Sequence, residues 1–475
     1  MTDSAPPSLY VAREPIFPKR VSGPFRTLKW WLMAFTLGIY YLTPWIRWDR
    51  GAELPDQAVL LDLAGRRFYF FWIEIWPHEF YFVAGLLIMA GLGLFLFTSA
   101  LGRVWCGYAC PQTVWTDLYI AVERWVEGDR NARLRLHKAP WSANKARLRL
   151  TKWTLWLLIG VATGGAWVFY FADAPTLLRD LVTLQAHPVA YTTIAILTGT
   201  TFAFGGFARE QICNFACPWP RIQAAMMDEE TLTVGYRAWR GEPHKHTEAV
   251  KAGAPMGDCI DCKACVAVCP AGIDIRDGQQ LECITCALCI DACDDIMAKI
   301  GKERGLIDYL ALSDESRERE GAKPRPIWQH VLRPRVMLYT ALWGAVGLAL
   351  VFALFIRSDV ELTVEPDRNP QFVVLSDGSV RNGYTVRLLN KTDTRQSFNL
   401  TVKGDPALRI QLSGSPYDTV QVPPASQLQQ RVFIIAPPGA DVARLDATGV
   451  RIWAEALGGG DRAYKDTVFN GRGGN

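Results

Sequence analysis

Two stretches of the sequence repeat one cysteine pattern. They read CIDCKACVAVCP, from Cys259 to Pro270, and CITCALCIDAC, from Cys283 to Cys293, and matching cysteines are 24 residues apart. Gaps of two residues allow a short loop to present three thiols to a single metal cluster, while the fourth thiol comes from the other run. The pattern therefore predicts a compact α+β domain organised by two iron–sulfur clusters.

The spacing is that of a bacterial two-cluster ferredoxin, and it predicts which thiols belong together. Zinc is the alternative, but a zinc site needs four ligands per separate unit and gives no reason for the third cysteine of each run. We therefore expect two 4Fe-4S clusters. The ligands of the first would be Cys259, Cys262, Cys265 and Cys293. The ligands of the second would be Cys283, Cys286, Cys289 and Cys269.

The remaining four cysteines form a second repeat, with an offset of 107 residues. It reads RVWCGYACP from Arg103 to Pro111 and EQICNFACP from Glu210 to Pro218. Because proline disfavours helix in the residue before it, we expect the chain to break near the second cysteine of each motif and a new helix to start at the proline. Helix N-termini and the nearby Arg103 or Arg209 would then lower the thiol pKa values.

Each motif follows a long apolar segment, so both should sit at the same end of the membrane helices predicted below. If those ends are neighbours, four thiols converge on one site, and its members are Cys106, Cys110, Cys213 and Cys217. The alternatives are a third iron–sulfur cluster, a soft-metal site for Cu(I), and four small buried residues with no metal. A metal analysis would separate the first two, since a third cubane cluster raises the iron content from about eight to about twelve per chain.

The average composition hides the membrane segments. Half of the 475 residues are hydrophobic, 21% are charged and the net charge is +4, which is too mild for a nucleic-acid-binding protein. Five stretches nevertheless lack any charged residue, and each is long enough to cross a bilayer, the first only marginally. They are Trp30 to Ile46, Phe80 to Gly102, Trp153 to Ala172, Pro188 to Ala208 and Val336 to Ile356.

The Lys and Arg residues of the loops predict the orientation of these spans. Ten lie between Arg103 and Lys152 and five in the leader before Trp30, but only Arg179 lies between Asp173 and His187. By the positive-inside rule, the leader and the segment with most cysteines are cytoplasmic and the C-terminus is outside. All 12 cysteines then lie on inner-side segments, where disulfides are unlikely and metal or redox use is favoured.

The predicted fold is thus an α-helical membrane protein with five transmembrane helices, an inserted ferredoxin-like α+β domain and a C-terminal all-β sandwich of the immunoglobulin type. The tail alternates polar and apolar residues in about eight short strands. A hairpin turning at Gly65 is expected in residues 58–76. The predicted domains are a leader (1–29), helices 1–4 with the first motif (30–208), a cytoplasmic segment (209–335) with the second motif and the ferredoxin domain (about 255–300), helix 5 (336–356) and the sandwich (358–475).

The predicted chemistry does not depend on histidines or on a nucleotide-binding motif. His78 and His187 lie at the outer ends of two spans, so a haem held by paired histidines at mid-membrane depth is not expected. His244 and His246 precede the first cysteine run in a polar loop and are expected to be solvated. No Gly-rich dinucleotide or phosphate loop is present. Electrons must therefore come from a partner.

Together these features resemble the cytochrome oxidase accessory family known as CcoG, FixG or RdxA. The combination of five spans, a Cys-x3-Cys-Pro motif after the second and fourth, a two-cluster insert and an outer sandwich covers nearly the whole chain. The resemblance implies a cupric reductase of the bacterial inner membrane, which reduces Cu(II) to Cu(I) for assembly of a high-affinity haem–copper cytochrome c oxidase. By position, the family's cluster ligands fall on the eight ferredoxin cysteines, and its membrane motifs fall on the other four.

The expected mechanism is one-electron transfer from a cytosolic reductant or quinol, through the clusters, to Cu(II) near Cys106, Cys110, Cys213 and Cys217 as catalytic residues. The implied partners are copper ions, a copper-exporting ATPase or oxidase assembly factors, and the lipid bilayer. The oligomeric state stays open, with a homodimer as one alternative. Two other functions compete: a quinol-oxidising electron conduit to a periplasmic reductase, and a non-enzymatic scaffold or redox sensor for oxidase assembly.

Overall fold

A computed structural model describes residues 15–51, 54–244, 247–251, 253, 255–392 and 394–473. The chain forms two compact units. One comprises Met1–Arg47 and Gln57–Leu350, and the other comprises Trp48–Asp56 and Val351–Asn475. The first 14 residues of the predicted leader and His246 lie outside the described residues.

A helix forms at each of the five apolar stretches. Their bounds are Pro24–Leu42, Tyr81–Leu101, Ala143–Val168, Pro188–Thr201 and Pro334–Phe355. The fourth helix continues as a π-helix, Phe202–Ala208. Small residues allow the third and fourth helices to pack closely, since a β-carbon on Gly164 would lie 2.8 Å from the carbonyl oxygen of Ile194.

Three helical segments are long and apolar enough to cross a membrane. They are Pro77–Leu101, Pro188–Ala208 and Pro334–Phe355. The first helix mixes Arg26 and Lys29 with its apolar residues, and the third begins with basic residues from Lys145 to Lys152, which lowers the hydropathy of both. Five crossings therefore stay a prediction.

Shorter helical elements connect these helices. The α-helices are Val104–Tyr108, Pro111–Glu127, Arg130–Lys138, Ala174–Val182, Trp219–Met226, Ala238–Gly241, Glu248–Lys251, Glu315–Arg319 and Ile327–Val331. The single turns of 3₁₀-helix are Thr43–Trp45, Pro77–Glu79, Ile275–Asp277, Leu312–Asp314 and Asp441–Ala443. A second π-helical turn is Ile212–Ala216.

The two prolines break the chain as their spacing predicts. Cys110 has an extended ψ of 129°, and a new helix begins at Pro111. Cys217 has a ψ of 125°, and the next helix begins one residue later than expected, at Trp219. The predicted hairpin at Gly65 is confirmed, because Val59–Asp62 pairs antiparallel with Arg67–Phe70. A third strand, Ile73–Ile75, extends it into a small sheet.

The cysteine-rich insert has the expected α+β character. Its helices are Ala264–Val268 and Leu288–Lys299, and its strands Thr233–Tyr236 and Ile307–Leu310 pair antiparallel. Ile290, Met297 and Ile307 belong to its buried core. Each helix starts at the second residue of a two-residue cysteine gap, so the same short elements that build the core also position the thiols.

The C-terminal unit is the predicted all-β sandwich, with two antiparallel sheets. The strands of one sheet, in spatial order, are Arg409–Leu412, Ser426–Ala436, Val380–Asn390 and Val360–Pro366, with Val373–Val374 pairing Val380–Asn390. Those of the other are Thr419–Val422, Gln396–Lys403, Ala447–Ala456 and Arg462–Asn470. Alternate residues point inwards, so that Val386, Phe398 and Ile434 form part of one buried core. The ninth strand, Arg462–Asn470, is absent from the sequence-based prediction.

Candidate iron–sulfur and thiol sites

The eight ferredoxin cysteines form two sets around two cavities. Cys259, Cys262, Cys265 and Cys293 line one cavity. Cys269, Cys283, Cys286 and Cys289 line the other, at whose edge Cys265 also lies. The last cysteine of each run therefore joins the other run's set, which is the crossed grouping that the spacing predicts.

The backbone conformation of the first cysteine run is repeated in the second. Asp261 and Lys263 in the first run have φ angles of 55° and 52°, and Thr285 and Ala287 in the second have 54° and 59°. These left-handed conformations are unfavourable for residues other than glycine and cluster at functional sites. They curl each two-residue gap so that successive thiols face one cavity. Arg276 braces the first loop, since its guanidinium donates to Asp261 at 2.7 Å and to Asp274 at 2.7 Å.

The thiols of each set surround a space and do not converge on a point. In the described ranges, no three His, Cys, Asp or Glu side chains are close enough to hold a single metal ion. Soft thiolate donors in sets of four fit iron–sulfur clusters, whereas a structural zinc site gathers its ligands around one ion. The crossed grouping of two sets of four cysteines is the ligand arrangement of two iron–sulfur clusters.

Burial raises the pKa of several ferredoxin thiols. It raises the pKa of Cys269 and of Cys293 to about 12, and in both cases the neighbouring thiols add to the effect. Burial likewise raises the pKa of Cys265 to about 11. Metal binding must displace these protons, so the affinity of both sets should increase with pH.

The other four cysteines also come together. The Cys213 thiol interacts electrostatically with those of Cys110, Cys106 and Cys217. The Cys106 thiol donates to Gln223 Oε1 at 3.1 Å, and the fully buried Gln223 in turn donates to Thr98 at 3.3 Å. We call these four residues the four-thiol site. Gln223 was not among the predicted site residues, because only the fold places it beside a motif more than 100 residues earlier.

The pKa values of this site differ from the expectation that Arg103, Arg209 and helix N-termini lower them. Burial raises the pKa of Cys106, and Arg103 offsets this only in part. Burial and the other three thiols raise the pKa of Cys213 to about 11. The prediction was wrong for these two residues, because desolvation of a thiolate outweighs the attraction of one guanidinium.

The first thiol motif packs directly on the second ferredoxin loop. A β-carbon on Gly107 would lie 2.6 Å from the carbonyl oxygen of Ile284 and 3.0 Å from Cys286 Cα. Tyr108 Oη donates to the Cys286 carbonyl oxygen at 3.2 Å. Arg103 donates to the carbonyl oxygen of Leu281. The four-thiol site therefore adjoins the cavity of the second set, while the exposed Cys262 belongs to the first.

The second thiol motif faces the same loop region. Cys213 and Asn214 line a cavity of about 40 Å³ together with Pro270, Glu282 and Ile284. Pro270 immediately follows Cys269 of the second set. Both halves of the four-thiol site thus lie against the ferredoxin domain.

Three of the histidines make structural contacts. His187 Nδ1 accepts a hydrogen bond from the Val189 amide at 3.3 Å and caps a helix. His244 Nδ1 lies 2.6 Å from Glu242 Oε2. His78 stacks on Trp76 with ring centroids 6.4 Å apart. These contacts account for the three side chains in structural terms.

Comparisons with known proteins agree with this arrangement. Residues 208–312 match the family described as 4Fe-4S dicluster domain, residues 82–129 match the 4Fe-4S binding domain family, and residues 350–472 match the family described as IG-like fold at C-terminal of FixG. The second of these regions contains Cys106 and Cys110.

Similar proteins span almost the whole chain. Protein RdxB of Cereibacter sphaeroides is 67% identical, with 99% of each chain covered. Protein RdxA of the same organism is 62% identical, with 98% of each covered. Nitrogen fixation protein FixG of Rhizobium meliloti is 59% identical over 91% of this chain and 88% of its own. The crystal structure of a FixG-related protein from Vibrio parahaemolyticus covers 24% of this chain and 98% of that chain, at 23% identity and a TM-score of 0.21. The chain belongs to the FixG/RdxA family and is an iron–sulfur electron-transfer protein.

Proposed function

We propose that this protein is a membrane-bound cupric reductase, which reduces Cu(II) to Cu(I) by one-electron transfer. The observation that carries the proposal is the contact of Gly107 and Tyr108 with Cys286, because it places the four-thiol site against the second ferredoxin set. Copper as the acceptor is supported by the sequence resemblance and by the soft donor set, since thiolates favour Cu(I) over Cu(II). The product would supply assembly of a haem–copper oxidase, through a copper-exporting ATPase or oxidase assembly factors.

The ferredoxin cysteines fit two 4Fe-4S clusters. Each cluster needs four thiol ligands, and the domain offers two sets of four. The loops that carry them have left-handed residues at equivalent positions, and apolar residues bury them. We assign Cys259, Cys262, Cys265 and Cys293 to one cluster and Cys269, Cys283, Cys286 and Cys289 to the other. When bound, the clusters would supply one-electron storage and transfer.

The four-thiol site would hold a third cluster in preference to a single copper ion. Its four thiols interact with one another, and the site lies against the second ferredoxin set. The match of residues 82–129 to a 4Fe-4S binding domain also supports a cluster. Cu(II) would then be a substrate that approaches the site and not an ion that the four thiols hold. A content of about twelve iron atoms per chain supports this assignment, and about eight would exclude it.

The proposed location is the bacterial inner membrane, with the cysteines cytoplasmic and the sandwich periplasmic. Three segments are apolar enough to cross by length and composition, and helices also form at the other two predicted spans. Five crossings place the two ends of the chain on opposite sides. A reporter enzyme that is active only in the periplasm should therefore be active when fused after residue 475 and inactive when fused after residue 300.

The function is tested by anaerobic Cu(II) reduction with a Cu(I)-specific chelator. Full-length protein is reduced with dithionite, freed of excess reductant and mixed with Cu(II). We expect Cys106→Ser plus Cys213→Ser to abolish Cu(I) formation. Phe215→Ser is the matched control, because Phe215 lies in the same motif and its side chain is 76% exposed. Unchanged rates in the double cysteine variant would remove the four-thiol site from the mechanism.

A further inference from the structure

A second pocket lies on the far side of Arg209 and Glu210 from the four-thiol site. Its volume is about 210 Å³, and its walls include Trp153, Trp156 and Phe207. Phe207 is the second-to-last residue of the candidate span Pro188–Ala208. The pocket is thus open at the end of a membrane helix, where an amphipathic molecule dissolved in the bilayer can enter.

Aromatic rings form the apolar walls. The Phe207 ring is 6.3 Å from that of Trp153 and 5.8 Å from that of Trp156, edge-on to the latter. Trp156 is almost fully buried, whereas Phe207 is 47% exposed. The volume is below the roughly 300–1,000 Å³ of pockets for drug-sized ligands, so the pocket suits a single ring and not a nucleotide or flavin.

Charged groups form the polar wall. Glu123, whose side chain is 4% exposed, accepts from Arg209 at 2.6 Å and from Lys152 at 3.3 Å, and it also pairs with Arg133. Lys152 also pairs with Glu127 at 3.0 Å. Lys152 and Arg209 both line the pocket and can donate to electronegative oxygens of a ligand. The pocket therefore combines a slot for a ring with hydrogen-bond donors for oxygen substituents.

The backbone connects this pocket to the four-thiol site. Arg209 has a φ of 41° and follows the π-helix Phe202–Ala208, two features that concentrate at functional sites. Arg209 and Glu210 also line the cavity of about 40 Å³ that contains Cys213. Arg209 and Glu210 are thus shared by the aromatic pocket and the cavity that contains Cys213.

We infer that this pocket binds the ring of a membrane quinol and is the site where the protein takes up its electrons. This inference rests on the electron-transfer role and membrane orientation proposed above, and not on copper as the acceptor. Oxidation of one quinol breaks its two O–H bonds and gives the quinone, two protons and two electrons. The two electrons would be accepted one at a time by iron–sulfur clusters, which the cysteine sets would hold. The protons leave to water at the mouth, where His137 is exposed.

Photolabelling tests whether the pocket binds a quinone, and its result does not depend on the clusters. Full-length protein in phosphatidylcholine nanodiscs is irradiated with an azido-substituted decylubiquinone and digested for mass spectrometry. We expect the label on peptides containing Trp153 or Phe207, and protection by excess decylubiquinone. Label elsewhere, or no protection, overturns the inference. Protection by phosphatidylglycerol and not by decylubiquinone also overturns it, because the pocket would then be a lipid-headgroup site.

Electron exchange tests the connection to the thiols. Dithionite-reduced protein, freed of excess reductant, is mixed anaerobically with decylubiquinone, and reoxidation is followed by visible absorption. We expect Trp153→Ala plus Phe207→Ala to slow this reaction about tenfold or more. The control is Trp125→Ala, since Trp125 is 78% exposed and lies outside the pocket. Equal rates in wild-type and double variant overturn the inference.

Ferricyanide separates this inference from the proposed function. As a water-soluble one-electron oxidant it does not need the pocket, so it should reoxidise all variants equally. Reaction with ferricyanide but not with decylubiquinone in the wild type refutes the quinol site alone. Failure with both oxidants refutes the electron-transfer role, and photolabelling still decides whether the pocket binds a quinone.

Discussion

Gly107 packs directly on the backbone of Cys286, and a β-carbon at position 107 would lie only 3.0 Å from Cys286 Cα. The contact joins the first thiol motif to the second ferredoxin loop across 179 positions of sequence. The same β-carbon would lie 2.6 Å from the carbonyl oxygen of Ile284, which is closer than real β-carbons approach backbone atoms, so the contact requires glycine. The absence of a side chain at position 107 therefore allows the first thiol motif to lie this close to the second ferredoxin loop.

The first prediction is that Gly107→Ala pushes these regions apart. Overpacking of this kind typically costs about 1–3 kcal/mol, so we expect a lower thermal midpoint together with slower Cu(I) formation. Gly199→Ala is the control, because a β-carbon there meets nothing within 4 Å and alanine favours helix. Equal copper reduction rates in the two variants would show that the Gly107 contact does not govern electron transfer.

The second prediction concerns the crossed grouping of the ferredoxin cysteines. Cys293 lies with Cys259, Cys262 and Cys265, although it belongs to the other run. EPR spectra of reduced Cys293→Ser should therefore lose or shift the same cluster signal as Cys259→Ser. Cys269→Ser should instead resemble Cys283→Ser. A Cys293→Ser spectrum that matches Cys283→Ser would contradict the assignment.

The third prediction concerns the buried charge cluster around Glu123. Arg133 and Lys152 pair with Glu123, and their side chains are 0% and 3% exposed. Glu123→Gln leaves Arg133 without its ion-pair partner, which typically costs about 3–5 kcal/mol, whereas Lys152 keeps Glu127 at 3.0 Å. Thermal unfolding followed by fluorescence should show a large drop in midpoint. Glu248→Gln, at a carboxylate that is 96% exposed, should have almost no effect.

The fourth prediction is the pH dependence of that cluster. Burial raises the pKa of Glu123, but Arg209, Arg133 and Lys152 outweigh it, so the pKa lies below its ordinary value. The stabilisation is then complete above the unfolded pKa of about 4.3 and is lost as the pH falls through the folded value. The midpoint of wild type should fall more steeply in acid than that of Glu123→Gln. Parallel curves would contradict this.

The features that the sequence predicts correctly depend on residues that are close together in the chain. The 24-residue offset between the cysteine runs becomes equal left-handed angles at Asp261 and Thr285 and at Lys263 and Ala287, because short loops impose the same geometry wherever they occur. Pro111 likewise starts a helix, because its ring fixes the φ angle at a value that suits the first helical position. The alternation of the tail predicts most of the sandwich for the same reason.

What the sequence does not show depends on distant contacts. The contact of Gly107 with Cys286, the hydrogen bond of Gln223 to Cys106 and the aromatic pocket join segments that only the fold brings together. Burial is similarly invisible in sequence, so the thiol pKa values of Cys106 and Cys213 were predicted in the wrong direction. The strand Arg462–Asn470 escapes prediction because it is an edge strand whose residues are mostly exposed, with little apolar alternation.

The most direct test of the central claim is a single-turnover measurement. Dithionite-reduced full-length protein, freed of excess reductant, is mixed with Cu(II) in a stopped-flow instrument under argon. Iron–sulfur absorption and the Cu(I)–chelator complex are recorded together. We predict one Cu(I) for each electron lost by the protein, with equal rate constants for both signals, and loss of both signals in Cys106→Ser plus Cys213→Ser. Cu(I) formation without iron–sulfur reoxidation, or at an unchanged rate in that variant, would contradict the proposed mechanism.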